Sequence, residues 1–261
     1  DHGAGLIGRL HILMEPKMPI LNGSFDTHLI DGSGYDFSAT RLDQLDATEY
    51  TLVCIAADVS SSVGGFRTAI EACVKEVVRA CGHSPRADNL MLRLSRFNDR
   101  VTEVHGFRRL AECHLDEYDG ALPCSGCTAL YDASHNAVES VARYGYDLQD
   151  AGLTANGIVF VITDGEDNHS TQSVNSIVDA LEKARRAEHL ESVLTILVGV
   201  GTQAGNVANG LANLARDAGF DHFLDLPTAD AKTLAGLADF VSRHIAMQSR
   251  VLGAGAAAQA L

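Results

Sequence analysis

A doubly wound α/β domain, Rossmann-like, with a mostly parallel sheet and one antiparallel edge strand, is the fold class this sequence predicts. Three observations predict it. Short apolar runs rich in β-formers, such as residues 51–57 and 156–163, read as buried strands. Between such runs lie stretches whose apolar residues recur three and four apart, the mark of a helix with one buried face. Finally, the runs at 90–94 and 101–105 are separated by little more than the turn pair Asn98-Asp99. Strands joined so tightly are antiparallel, because a parallel pair needs a long crossover.

Taken in order, the strand at 51–57 is followed by a helix that starts at Val63 and carries Phe66, Ile70, Cys73, Val74, Val77 and Cys81. The run 90–94 alternates Leu, Met, Leu, Arg and Leu, which predicts a strand with one buried face. Leu130, Ala133, Ala137, Val138 and Val141 space a helix over 129–146, and the strand before Asp164 follows. Val174, Ile177, Val178, Leu181 and Ala184 give the next helix, then a strand runs from Val193 to Val200. The last units are a helix through Val207, Leu211, Leu214 and Ala218, a strand at 222–226, and a helix through Leu234, Leu237, Ala238, Val241 and Ile245. Strands and helices in alternation specify helices on both faces of one sheet.

The domain is expected over 51–247. Residues 1–18 are set aside as a leader or an expression remnant. Residues 19–50 are an extension packing on the domain, as an edge strand or a strap, and 248–261 are a frayed Ala/Gly tail.

Composition narrows the function. The 261 residues are 46% apolar, and the net charge is −14 without any Lys/Arg cluster. That balance opposes binding to nucleic acid or to an anionic membrane surface. No apolar run reaches the ~18–20 residues a bilayer span needs. Of the six cysteines, Cys54 falls in a strand, and Cys73 and Cys81 fall on a helix's apolar face, where the thiol acts as a small hydrophobe. The expected compartment is a reducing cytoplasm. Cys124-x-x-Cys127, with Cys113 and His114 upstream, outlines a zinc knuckle but lacks a second ligand pair. Asn22-Gly-Ser24 and Asn168-His-Ser170 match the glycosylation sequon and are read as chance.

The chemistry concentrates at strand ends. Asp58-Val59-Ser60-Ser61-Ser62 stands where a buried strand turns into a helix, the crevice in which open α/β sheets bind ligands. Three oxygen donors at alternating positions of one loop suit a hard cation. Asp164-Gly165 ends a second such strand, and Thr128 stands immediately before another helix. Each residue alone also fits a helix cap or turn. Together and in this order they resemble the von Willebrand factor A domain, whose metal-ion-dependent adhesion site combines a D-x-S-x-S loop, a later Thr and a later Asp.

The resemblance implies that Asp58, Ser60, Ser62, Thr128 and Asp164 ligate a divalent cation, Mg²⁺ foremost with Mn²⁺ or Ca²⁺ as alternatives. Some of these contacts would run through water. It further implies a non-enzymatic adaptor of the intracellular bacterial or phage type, in which an Asp or Glu of a protein partner completes the open coordination. Two residues depart from the family pattern, Ser61 and Cys127 standing where Gly is frequent. Neither change removes a ligand oxygen. Glu166, Asp167, Asn168 and His169 form an acidic rim beyond Asp164, with His169 read as a solvated loop residue.

The competing reading is a metal-dependent phosphohydrolase or phosphotransferase with Asp58 as acceptor. Such enzymes place a second Asp two residues on, where this chain has Ser60. Serine hydrolysis lacks its G-x-S-x-G elbow. The glycines at 199, 201 and 205 miss dinucleotide-binding spacing.

Overall fold

The computed structural model describes residues 24–30, 34–203 and 206–258. The leader assigned to residues 1–18 lies outside them. Eight strands form one sheet: β1 (Phe25–Leu29), β2 (Asp36–Thr40), β3 (Glu49–Asp58), β4 (Leu90–Phe97), β5 (Val101–Arg109), β6 (Thr154–Thr163), β7 (Ser192–Val200) and β8 (His222–Leu226). Five helices flank it: α1 (Arg67–Gly82), α2 (Leu130–Asp150), α3 (Val174–Arg186), α4 (Val207–Ala218) and α5 (Ala231–Ala258).

The strand order is β1-β2-β5-β4-β3-β6-β7-β8. β4, β3, β6, β7 and β8 run parallel, and β5 lies antiparallel on β4. The chain leaves β3 toward β4 on one side and returns to β6 on the other. The topological switch therefore falls between β3 and β6.

Alternation along β3 explains two cores. Leu52, Cys54 and Ala56 face the layer of α2, α3 and α4. Val53, Ile55 and Ala57 face the layer of α1 and α5. Helices on both faces also correct one expectation. β4 has two buried faces rather than one, and Arg93 is fully buried with its Nε 2.9 Å from Glu103 Oε2. Its Nη1 reaches Asn136 at 3.0 Å and Ser140 at 3.3 Å, so the buried guanidinium is held by polar partners from β5 and α2.

Residues 25–40 supply two further strands beyond β5. β2 runs parallel to β5 through Ala39 opposite Phe107, and β1 is antiparallel to β2. Close approach depends on Gly106, since a Cβ there would lie 2.1 Å from the Ser38 carbonyl oxygen. Glu103 accepts hydrogen bonds from the Ser38 amide and hydroxyl, tying Arg93 to the added strand. Phe37 and Phe107 meet edge to face at 6.0 Å, while Tyr144 donates its hydroxyl to the Thr40 carbonyl at 2.7 Å.

Two boundaries differ from the sequence reading. The segment Ser62–Gly65 is a 3-10 turn, and α1 begins only at Arg67. Gly64-Gly65, low in helix propensity, separates the site loop from the helix. At the other end α5 is helical to Ala258, through the tail expected to fray, where a run of alanines carries the strongest helix propensity.

Candidate metal centre

Asp58 is the last residue of β3 and is fully buried. Both carboxylate oxygens are held: the Ser60 amide donates to Oδ1 at 2.8 Å and the Thr163 hydroxyl donates to Oδ2 at 2.6 Å. Thr163 is placed to do so because β3 and β6 pair in parallel up to Ala57 opposite Ile162. Sequence reasoning gave Thr163 no role beyond ending its strand, although the register of two neighbouring strands brings it beside Asp58.

The hydroxyls of Ser60 and Ser62 lie 2.9 Å apart, and Ser62 Oγ donates to Asp164 Oδ1 at 3.1 Å. Asp58, Ser60, Ser62 and Asp164 thus form one continuous oxygen cluster across the β3–β6 switch. Thr128 is 3% exposed and arrives from the loop before α2. Backbone bonds set that loop against the first: the Ser61 amide donates to the Gly126 carbonyl at 2.9 Å, and the Ser125 amide to the Val59 carbonyl at 2.8 Å. Asn168 clasps Thr128 from the third loop. Its side-chain oxygen accepts from the Thr128 amide at 2.8 Å, and its amide donates to the Thr128 carbonyl at 3.0 Å. All five residues read from the sequence therefore lie on three loops that are hydrogen-bonded to one another at one end of the sheet.

The electrostatics are unbalanced. Burial pushes the Asp58 carboxyl up to about 6, hydrogen bonds from Thr163 and Ser60 oppose that rise, and the Asp164 charge adds to it. Burial also raises Asp164, against the Ser62 hydrogen bond. The hydrogen bonds these carboxylates accept come from neutral hydroxyls and an amide. Two buried carboxyls sharing a site with no cationic partner among the described residues are costly to ionise.

The donor set fits a small hard cation. Neighbouring oxygens of an octahedral Mg²⁺ shell stand about 2.9 Å apart, given Mg–O distances near 2.1 Å, whereas Ca²⁺ spreads them to about 3.3 Å or more. The separations of 2.9 and 3.1 Å are compatible with either ion.

A different ligand group arises where the sequence suggested a zinc knuckle. Cys113 lies within reach of the Arg109 carbonyl and Cys124 of the Leu122 carbonyl. The His, Cys and carboxylate atoms that converge among the described residues are instead those of Asp99, Cys127 and His169, all within 4.8 Å of one another.

The sheet order and the flanking helices define a fold of the von Willebrand factor A type. Solved structures share it. Proximal thread matrix protein 1 from the mussel byssus, in a form with a zinc-occupied metal-ion-dependent adhesion site, aligns with a TM-score of 0.51 and 20% identity over 76% of this chain and 46% of that one. The D319A mutant of the PilB minor pilin from Streptococcus sanguinis aligns with a TM-score of 0.55 and 13% identity, over 82% of this chain and 65% of that chain. The pilus adhesin SpaC from Lactobacillus rhamnosus GG gives a TM-score of 0.51 and 11% identity, over 80% and 32%. The chain thus spans from a third to two thirds of the length of these proteins. No family model matches the chain, and neither does any curated protein sequence. No helix among the described residues is long and apolar enough to cross a membrane.

Proposed function

We propose that this chain is a non-enzymatic, metal-dependent protein-binding module. Asp58, Ser60, Ser62, Thr128 and Asp164 would hold Mg²⁺ directly or through water, and the cation would supply a Lewis-acidic open position for a partner's Asp or Glu. The observation that carries this reading is the oxygen cluster built around two buried carboxyls that form no ion pair among the described residues. Three of the five donors are neutral hydroxyls, and with Asp58 or Asp164 acting through water the dication keeps positive charge for an incoming carboxylate. A protein of net charge −14 repels acidic ligands at long range, so their attraction must be local to that ion.

The geometry disfavours Asp58 as a phosphoryl acceptor. Its carboxylate is fully buried, both oxygens already accept hydrogen bonds, and the place of a general acid two residues on is held by Ser60. An adhesion-site metal in the byssus matrix protein, and the pilin and adhesin likenesses, favour binding over catalysis by analogy of fold.

We assign residues 51–247 to the functional domain, with 19–50 as an extension packed on it, and place the protein in a cytoplasm of bacterial or phage type. All six cysteines stand as free thiols, three of them buried, which suits a reducing compartment.

The test is a pull-down with Mg²⁺ and with chelator, paired with melting curves. Mg²⁺ should raise the melting temperature, and Asp58→Ala should abolish the rise while the fold persists. Captured partners should release with chelator and fail to bind Thr128→Ala. Partners that survive both treatments would move recognition to another face and leave the site a structural staple.

A further inference from the structure

We propose that Asp99, Cys127 and His169 form a second metal site, distinct from the oxygen cluster and selective for Zn²⁺, on the rim of the same crevice. The three ligands come from three loops: the β4–β5 turn, the loop before α2, and the segment following β6. Their candidate ligand atoms lie within 4.8 Å of one another and all three residues are exposed. In a tetrahedral zinc site such atoms stand about 3.3–3.8 Å apart, which exposed side chains reach by small rotations. One thiolate, one imidazole and one carboxylate suit a borderline-soft cation, while Mg²⁺ avoids sulfur. Three protein ligands leave a fourth position for water or a partner group.

The backbone around the triad is fixed in a way the ligands need. Gly126 adopts φ +80°, and a Cβ there would lie 2.7 Å from an Asp99 carboxylate oxygen, so the absence of a side chain lets Asp99 reach the loop. The Cys127 amide donates to Asp99 Oδ1 at 2.6 Å, which aims the carboxylate and leaves its second oxygen for the metal. The Asn168 and His169 amides both donate to the Thr128 carbonyl, at 3.0 and 3.2 Å, and hold His169 beside the residue that follows Cys127. Binding would replace the Cys127 thiol proton with the metal and release that proton to solvent. The ion would then bridge the three loops around Thr128. The inference rests on the triad alone and stands whether or not Mg²⁺ occupies the neighbouring cluster.

Cobalt(II) titration of the full chain tests it, because cobalt bound to a thiolate shows an intense near-ultraviolet charge-transfer band that oxygen ligation lacks. The band should appear at one equivalent and vanish when Zn²⁺ displaces the cobalt. Cys127→Ser and His169→Gln should each lose it, and Asp99→Asn should weaken cobalt binding at least tenfold. Cys124→Ser and Asp58→Asn should retain it. These variants change exposed residues or keep side-chain shape, and circular dichroism verifies that each folds. Absence of the band, or its persistence in Cys127→Ser, overturns the proposal. Mg²⁺-dependent stabilisation is read separately, by loss of the melting shift in Asp58→Asn.

Discussion

Replacing Asp58 with Asn removes one buried charge and keeps every hydrogen bond around it. The Asn side-chain oxygen can accept from the Ser60 amide as Oδ1 does now. The Asn amide can donate to Thr163, whose hydroxyl then turns its own proton to the Gly165 carbonyl, a bond already 3.0 Å long. What changes is the cost of ionisation. The carboxyl moves from 3.8 to about 6 on folding, so it holds its proton more tightly folded than unfolded. The sign follows from that preference. Below 3.8 both states are protonated and no penalty exists; the penalty grows as pH rises and is complete above about 6. At 1.36 kcal/mol for each pH unit, the full penalty is about 3 kcal/mol. Metal-free Asp58→Asn should therefore match the wild type near the lower pH limit and exceed its stability by up to about 3 kcal/mol near neutrality. Mg²⁺ at a thousandfold excess over Kd should reverse the order, because it stabilises only the chain that binds it, by about 4.1 kcal/mol. Urea denaturation across pH, with chelator and with Mg²⁺, measures each quantity. A variant-minus-wild-type difference that stays flat with pH would refute the claim that Asp58 ionises at a cost in the fold.

Other expectations follow from the same contacts. Arg93→Ala leaves Glu103 and Asn136 without their buried partner and should cost about 3 kcal/mol or more by chemical denaturation. Gly106→Ala should force β2 away from β5, costing about 1–3 kcal/mol and speeding amide exchange at residues 36–40, with unchanged exchange counting against the packing argument. The purified chain should not turn over a generic phosphate ester; turnover that disappears in Asp58→Asn would restore the phosphotransfer reading.

The sequence makes the sheet's centre legible because both signals there are local. Apolar runs ending at Asp58 and Thr163 mark buried strands, and a carboxylate at such an end has few places to point. Pairing between distant segments is less legible. That β2 joins β5 depends on Gly106 making room for a strand some seventy residues earlier, and no local pattern announces it. Arg93 misleads for a related reason. In an alternating strand a charge suggests a solvated face, yet its partners come from β5 and α2, beyond any short window. His169, read as a solvated loop residue, acquires Asp99 and Cys127 as neighbours only once three loops are assembled. Helix 63–81 starts late because paired glycines weigh more on the backbone than the apolar spacing that suggested it.

The position of Asp58 also decides how the molecule would carry a mechanical load. A partner gripped at the crevice, as proposed, would pull on the ends of β3 and β6, roughly along the strands. β3 is paired with β4 from Thr51 to Asp58 and with β6 from Glu49 to Ala57, so such a pull works in shear and must break many backbone bonds together. The far edge behaves differently. β1 is held by β2, and β2 meets β5 in register at Ala39 and Phe107 alone, an arrangement that can be peeled apart pair by pair. Tension entering at the site is thus met by the stiffest part of the sheet, while tension entering through residues 25–40 would be relieved by detaching them first.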